Sequence, residues 1–232
     1  MKTVAFAAAA AIASAAGADV TLGVDDSSAP WLGFMNVFEL PENGGGFVFG
    51  SGWGVPDLTA SFDDAAPSVT MGPNTIGDPN EFWYQNTTGN APDPVNPGGP
   101  GQLGNKFMEA NLFQNINDGS LSGTTVRFSG NVLDFSMTGA HEVSVFIKDF
   151  TADFSAFNES RAVIDAAGNF SISLDTIDEV GRNVQFGITV AGVNVWETDV
   201  APFGNAVFQT VPAPGAAALL GLGGLVAARR RR

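Results

Sequence analysis

The chain has 232 residues, one histidine, no cysteine and a formal net charge of −14. Without cysteine there are no disulfides, no thiol nucleophile and no zinc site of the Cys/His kind. Glycine and proline together supply 42 residues, below the level that marks a disordered chain, and 19 Phe and four Trp require a packed interior.

Residues 1–18 read as an export leader. Lys2 is the charged start, Val4 to Ala16 is a small apolar run broken only by Ser14, and Ala16-Gly17-Ala18 is an A-x-A site. Cleavage is expected between Ala18 and Asp19, on a Sec-type route. The body that remains, 19–210, is one domain's worth of chain. It holds all 24 acidic residues and five basic ones, a formal −19. That disfavours nucleic acid and anionic lipid as partners, since both need a basic surface.

The body reads as strands and turns. Trp31 to Leu40 is the first predicted strand, and Phe47 to Phe49 returns after the Asn43-Gly44-Gly45-Gly46 turn. Leu58 to Phe62 and Val69 to Met71 follow. Gly72 to Gly104 is a long loop carrying Phe82-Trp83-Tyr84, and loops of that length are usually functional. Lys106 to Gln114 is a strand, and Thr124 to Phe135 another, with a kink expected at Gly130. Val143, Val145 and Ile147 alternate with Ser144, Phe146 and Lys148. Phe170, Ile172 and Leu174 alternate with serines. Val184, Phe186, Ile188 and Val190 alternate with Asn183, Gln185, Gly187 and Thr189. Ala206 to Thr210 closes the last edge. Period-two alternation means one buried and one wet face, so the expected fold is all-β, a single antiparallel sandwich.

Several constellations could carry chemistry. His141 lies in Thr138-Gly139-Ala140-His141-Glu142 and reads as a surface turn residue. Asp25-Asp26, Asp63-Asp64, Asp149 with Asp153, and Asp178-Glu179 are carboxylate pairs of the type glycosidases use, or solvated turn acids. Asn115-Ile116-Asn117-Asp118-Gly119 has the oxygen-rich spacing of a calcium loop start, or is a hairpin turn. A structural calcium is the one cofactor this composition suggests, with no ligand set defined. Sugar binding needs aromatic faces flanked by amides. Trp53, Trp83, Tyr84, Asn86 and Trp196 are the candidates, each also able to serve as packing. Phe150, Phe154 and Phe157 are read as pinning a crossing loop to the core.

Gly104-Asn105-Lys106-Phe107, Val126-Arg127-Phe128-Ser129-Gly130, Val145-Phe146-Ile147-Lys148-Asp149-Phe150, Gly168-Asn169-Phe170-Ser171 and Val184-Gln185-Phe186-Gly187 run in an order that resembles jelly-roll, galactose-binding-like modules of bacterial surface proteins and carbohydrate-active enzymes. The resemblance spans about Trp53 to Phe208 and implies a lectin-like sandwich.

The last segment, 211–232, opens with Val211, Pro212, Ala213 and Pro214. Gly215 to Ala228 then carries no charge, and Arg229, Arg230, Arg231 and Arg232 end the chain. As a helix the apolar run would span about 21 Å, a short transmembrane span beside a bilayer core of about 30 Å. The arginines would stay on the cytoplasmic side. This order resembles the PEP-CTERM sorting signal, whose usual middle residue is Glu where this chain has Ala213. The resemblance implies processing by an exosortase, transient anchoring in the inner membrane, and delivery to the cell surface or extracellular space, with exopolysaccharide as an expected associate. Three functions stay open: a non-enzymatic surface or matrix protein, a dedicated carbohydrate-binding module, and a glycoside hydrolase.

Overall fold

The computed structural model describes residues 19–75, 103–195 and 199–210. The expected leader, the expected sorting segment and the middle of the expected long loop lie outside them. The strands are β1 (Asp19–Leu22), β2 (Leu32–Glu39), β3 (Phe47–Trp53), β4 (Ala60–Asp63), β5 (Ser68–Met71) and β6 (Leu103–Ile116), then β7 (Thr125–Phe135), β8 (His141–Phe150), β9 (Phe157–Ile164), β10 (Gly168–Asp175), β11 (Asn183–Val195) and β12 (Ala206–Gln209). They form two six-stranded sheets. In the first, β7 pairs with β10 on one edge and shares its other edge between β1 and β12, after which come β5 and β4. In the second the order is β3-β2-β6-β11-β8-β9, antiparallel throughout. The expected all-β sandwich forms, but it is antiparallel-rich and not wholly antiparallel, since β1 runs parallel to β7.

Alternation decides which face goes in. Val184, Phe186, Ile188 and Val190 of β11 and Val143, Val145 and Ile147 of β8 are buried, as are Met35 and Val37 of β2 and Met108, Ala110 and Leu112 of β6. The first sheet answers with Val126, Phe128, Val132, Phe170 and Phe208. An edge-to-face aromatic cluster joins the layers: Phe128 lies 5.2 Å from Phe170 and 5.3 Å from Phe186 across the interior. Such packing adds to the area each ring buries.

Five expectations need correction. Leu58 belongs to a short 3-10 turn, Val55–Leu58, and β4 starts after Thr59, which is left-handed at φ 54°. Strand β7 runs through Gly130 unbroken; its irregular pairing with β12 comes later, opposite Val207 and Phe208. Gly130 is a seat, since a Cβ there would stand 2.6 Å from the Phe170 ring of the paired strand. The stretch from Asn115 to Gly119 makes no hairpin, because β6 and β7 lie in different sheets and the chain crosses there. Phe150 and Phe157 face each other across a β8–β9 hairpin, with Phe154 52 % exposed in its loop, so the three rings do not anchor a loop to the core. Last, β1 and β9 are strands the sequence reading left unassigned.

Phe186→Ala is expected to lower unfolding free energy by about 3–5 kcal/mol, the range for truncating a buried aromatic. Denaturant titration of the full chain checks it, and a loss of the size seen at exposed positions would contradict the inward register of β11.

Candidate binding groove

The inward register of the second sheet dictates its outer face. Phe34 and Asn36 on β2 point out, because Met35 and Val37 point in. By the same parity Glu109, Asn111 and Phe113 face out on β6, Gln185, Gly187 and Thr189 on β11, and Phe146, Lys148 and Phe150 on β8. Phe157, Glu159 and Arg161 complete it on β9. Pairing brings these into rows across the sheet. Phe113, Gly187, Phe146 and Arg161 form one, and Gln185, Lys148 and Glu159 the next, with Phe150 and Phe157 beyond. A groove of about 400 Å³ runs over these rows.

Two kinds of surface line it. Phe113 and Phe146 are almost wholly buried and form the floor, while Phe34 at 36 % and Phe157 at 51 % exposure stand at opposite sides. Gly187 lies between the two floor rings, where a Cβ would run into the Leu112 carbonyl. The glycine lets β11 and β6 approach and keeps the floor low.

The polar lining centres on Arg161, with a separate Thr189–Asn111 pair beside it. Arg161 donates through Nε to Glu159 at 2.9 Å and through Nη1 to the Ser144 hydroxyl at 2.9 Å, and its Nη2 lies 3.4 Å from Glu109. Thr189 donates to Asn111 Oδ1 at 2.8 Å. Lys148 differs from Arg161. Its Nζ is 3.9 Å from Glu159 Oε1 and hydrogen-bonds to none of the described residues. It rests over the Phe146 ring at 4.8 Å and beside Phe157 at 5.6 Å. Burial pulls its pKa below the usual lysine value, and Glu159 and Glu109 oppose that pull. Two carboxylates and two cations thus cancel within the groove. Exposed rings beside fixed donors and acceptors suit a ligand with apolar ring faces and many hydroxyls.

The chain matches no protein-family model and no curated protein. Two solved structures resemble it. One holds the CBM22-1–GH10 modules of the Clostridium thermocellum N-terminal endo-1,4-β-D-xylanase 10B complexed with xylohexaose, at 13 % identity over 46 % of this chain and 21 % of that one, with a TM-score of 0.26. The other is TmCBM61 in complex with β-1,4-galactotriose, at 13 % identity over 80 % of this chain and 86 % of that one, with a TM-score of 0.32. The chain therefore spans about a fifth of the xylanase chain it matches.

Of the aromatic candidates, Trp53 is on the far side of its sheet: its ring packs against the core and its indole N–H donates to Ser51 Oγ at 2.8 Å. Trp83, Tyr84, Asn86 and Trp196 lie outside the described residues, as do Ala18, Val211 to Pro214 and Arg229 to Arg232. Asp19 opens β1. Each carboxylate pair has at least one member engaged in structure. Asp149 is fully buried, held by Arg182 Nε at 2.8 Å and by the Ile177 N–H at 2.9 Å. Asp153 caps its own turn through Ser155 and Thr151, which hold its pKa at about 2. Asp25 accepts from Gln114, Asp64 from Ser27, and Glu179 from Arg182. Asp118 accepts from the Ser120 N–H, and among the described residues no three His, Asp or Glu side chains converge as a metal site would need.

The groove residues themselves carried a signal: Phe146 stands on the wet side of the β8 alternation, where a solvated strand has no use for it. His141 corrects an expectation. It is 4 % exposed at the start of β8, with Nε2 2.9 Å from the Val193 carbonyl and its ring edge-on to Phe203. Burial depresses its pKa below the ordinary histidine value. Below about pH 6.5 the unfolded chain then binds the extra proton first, so stability is present above that pH and lost below it, by at most about 1.4 kcal/mol per pH unit. The melting temperature is expected to fall more between pH 7.5 and 5.5 for the wild type than for His141→Gln. Parallel curves would mean that His141 does not titrate differently on folding.

Proposed function

We propose that this chain is an exported, non-enzymatic protein of the cell envelope or its surroundings whose groove binds polysaccharide. The observation that carries the reading is the groove on the outer face of the second sheet, with Phe34 and Phe157 exposed at its sides and hydrogen-bonding side chains between them. Sugars present apolar ring faces that stack on aromatic rings, and hydroxyls that need fixed partners. The acidic body favours a ligand other than nucleic acid or anionic lipid. Among the functions left open by the sequence, this geometry supports the carbohydrate-binding one best, and it is compatible with a matrix role alongside exopolysaccharide.

A hydrolase is the second reading, favoured by one observation: Glu109 and Glu159 reach the same guanidinium, that of Arg161, on the groove surface. Glycosidases set two carboxyls on either side of a bond, one protonated and one ionised. Here both carboxyls lean on one guanidinium between them and do not face each other across an open gap, which supports binding without cleavage.

Arraying neutral and acidic glycans against the purified full chain tests the proposal. Binding to at least one polysaccharide is expected, with no release of reducing ends. Phe157→Ala, at a half-exposed position, is expected to weaken it roughly tenfold while leaving the melting temperature near wild type. Retention of full affinity in that variant would remove the groove from the account.

Export is proposed on the two chain ends. The leader 1–18 and the sorting segment 211–232 have opposite layouts, apolar run after a lysine at one end and before four arginines at the other. Mass spectrometry of the cell-associated or released protein is expected to find a start at Asp19 and no Arg229 to Arg232 tail. A mature protein that keeps both ends would end the exosortase reading and leave the groove untouched.

A further inference from the structure

We propose that Lys148 and Glu159 form a subsite for two neighbouring hydroxyls of an uncharged sugar, which makes the groove selective for neutral over acidic glycans. The inference rests on the groove being a glycan site. Lys148 on β8 and Glu159 on β9 are directly opposite each other. Their 3.9 Å separation is an ion pair left open, well beyond the ~2.7–2.9 Å of a charge-assisted hydrogen bond. The gap has a cause. The ammonium is held over Phe146 and beside Phe157, and Glu159 is drawn toward Arg161 Nε at 2.9 Å. Each charge is thus positioned by something other than its partner.

The chemistry of the gap is specific. An ammonium only donates and a carboxylate only accepts, whereas a hydroxyl does both. Two adjacent hydroxyls close the circuit: one accepts from Nζ, and the other donates to the carboxylate. Water can hydrate the same pair, but a sugar brings both hydroxyls on one rigid ring, whose apolar face meets Phe157 on the same side of the groove. Gln185, opposite Lys148 on β11, adds an amide with donor and acceptor to spare, as it hydrogen-bonds to none of the described residues.

Charge selects the ligand class. Lys148 and Arg161 are balanced by Glu159 and Glu109, so the groove offers no net positive charge. The body around it carries −19. A uronate would meet an ammonium already neutralised at close range and a repulsive field at long range. A neutral diol pays no such penalty and completes the hydrogen bonding of both ions.

Calorimetric titration of the full chain with cellohexaose, mannohexaose and xylohexaose, against hexagalacturonate, tests this. At least one neutral hexasaccharide is expected to bind and hexagalacturonate to fail. Lys148→Met keeps the stem over Phe146 and removes the donors, and is expected to weaken the neutral ligand roughly tenfold or more. Glu159→Gln is expected to weaken it as well, and the double variant to lose less than the two losses combined. Glu159→Gln carries the test alone if Lys148→Met melts early. Full affinity in both single variants, with Phe157→Ala still impaired, overturns the subsite and leaves the groove standing. Preference for hexagalacturonate overturns the neutral class. No binding of any of these sugars or of arrayed polysaccharides by the wild type overturns the groove reading itself, and the subsite with it.

Discussion

The contact between Phe128 on β7 and Phe186 on β11 ties the two sheets together, and the outer face of the second sheet depends on it. In a strand, neighbouring residues face opposite ways, so burying Phe186 sends Gln185 and Gly187 outward. A slip of one residue would exchange them and put an amide in the core. Because β11 pairs with β6 on one side and β8 on the other, its register fixes theirs. The rows that bring Phe113, Gly187 and Phe146 together, and Gln185 with Lys148 and Glu159, follow from one buried ring. Packing thus decides the site before any ligand is present.

Electrostatics works under a second constraint, the scarcity of cations. Five basic residues serve 24 acids in the body. Lys106 pairs with Glu39 at 3.1 Å, and Arg182 holds the fully buried Asp149 while also meeting Glu179. Removing either member of a buried pair leaves an uncompensated charge, so this clamp between β8 and the segment before β11 tolerates loss poorly. Two of the remaining cations, Lys148 and Arg161, sit in the groove. Placing them there neutralises Glu109 and Glu159 and keeps the groove from adding to the negative field of the body.

The sandwich was legible in the sequence where alternation was strict. In β8, β10 and β11 the apolar positions named the buried face correctly, Phe186 included. Where a strand carries polar residues on both faces the pattern vanishes. Strand β9 is an edge strand reading Phe-Asn-Glu-Ser-Arg-Ala-Val-Ile, and only its last residues alternate. Strand β1 has four residues, too few for a period. His141 looked like part of a turn because Thr138, Gly139 and Ala140 precede it, yet it is the first buried residue of β8. The turn-like Asp118-Gly119 gave no hint that the chain there changes sheets. The site was only partly legible. Trp53 has the right chemistry for sugar, but the parity of β3 turns it inward, and parity at an edge strand becomes visible only once its partner is known.

The two outer faces of the sandwich show why the groove lies where it does. On the first sheet, β7 and β10 present Thr125, Arg127, Ser129 and Asn131 beside Asn169, Ser171, Ser173 and Asp175. These are mostly short polar side chains, as expected of a face that only meets water, and their hydrogen bonds close among themselves, Thr125 to Asp175 and Arg127 to Ser171. The second sheet has the same pleat and the same alternation, but Phe34, Phe113, Phe146, Phe150 and Phe157 occupy its outward positions. Phe113 and Phe146 are covered there, but Phe34 and Phe157 add apolar area that a monomeric surface gains nothing by exposing. Set beside a lysine and a glutamate that leave their ion pair open, they give this face, and not the other, the lining that the proposed glycan needs.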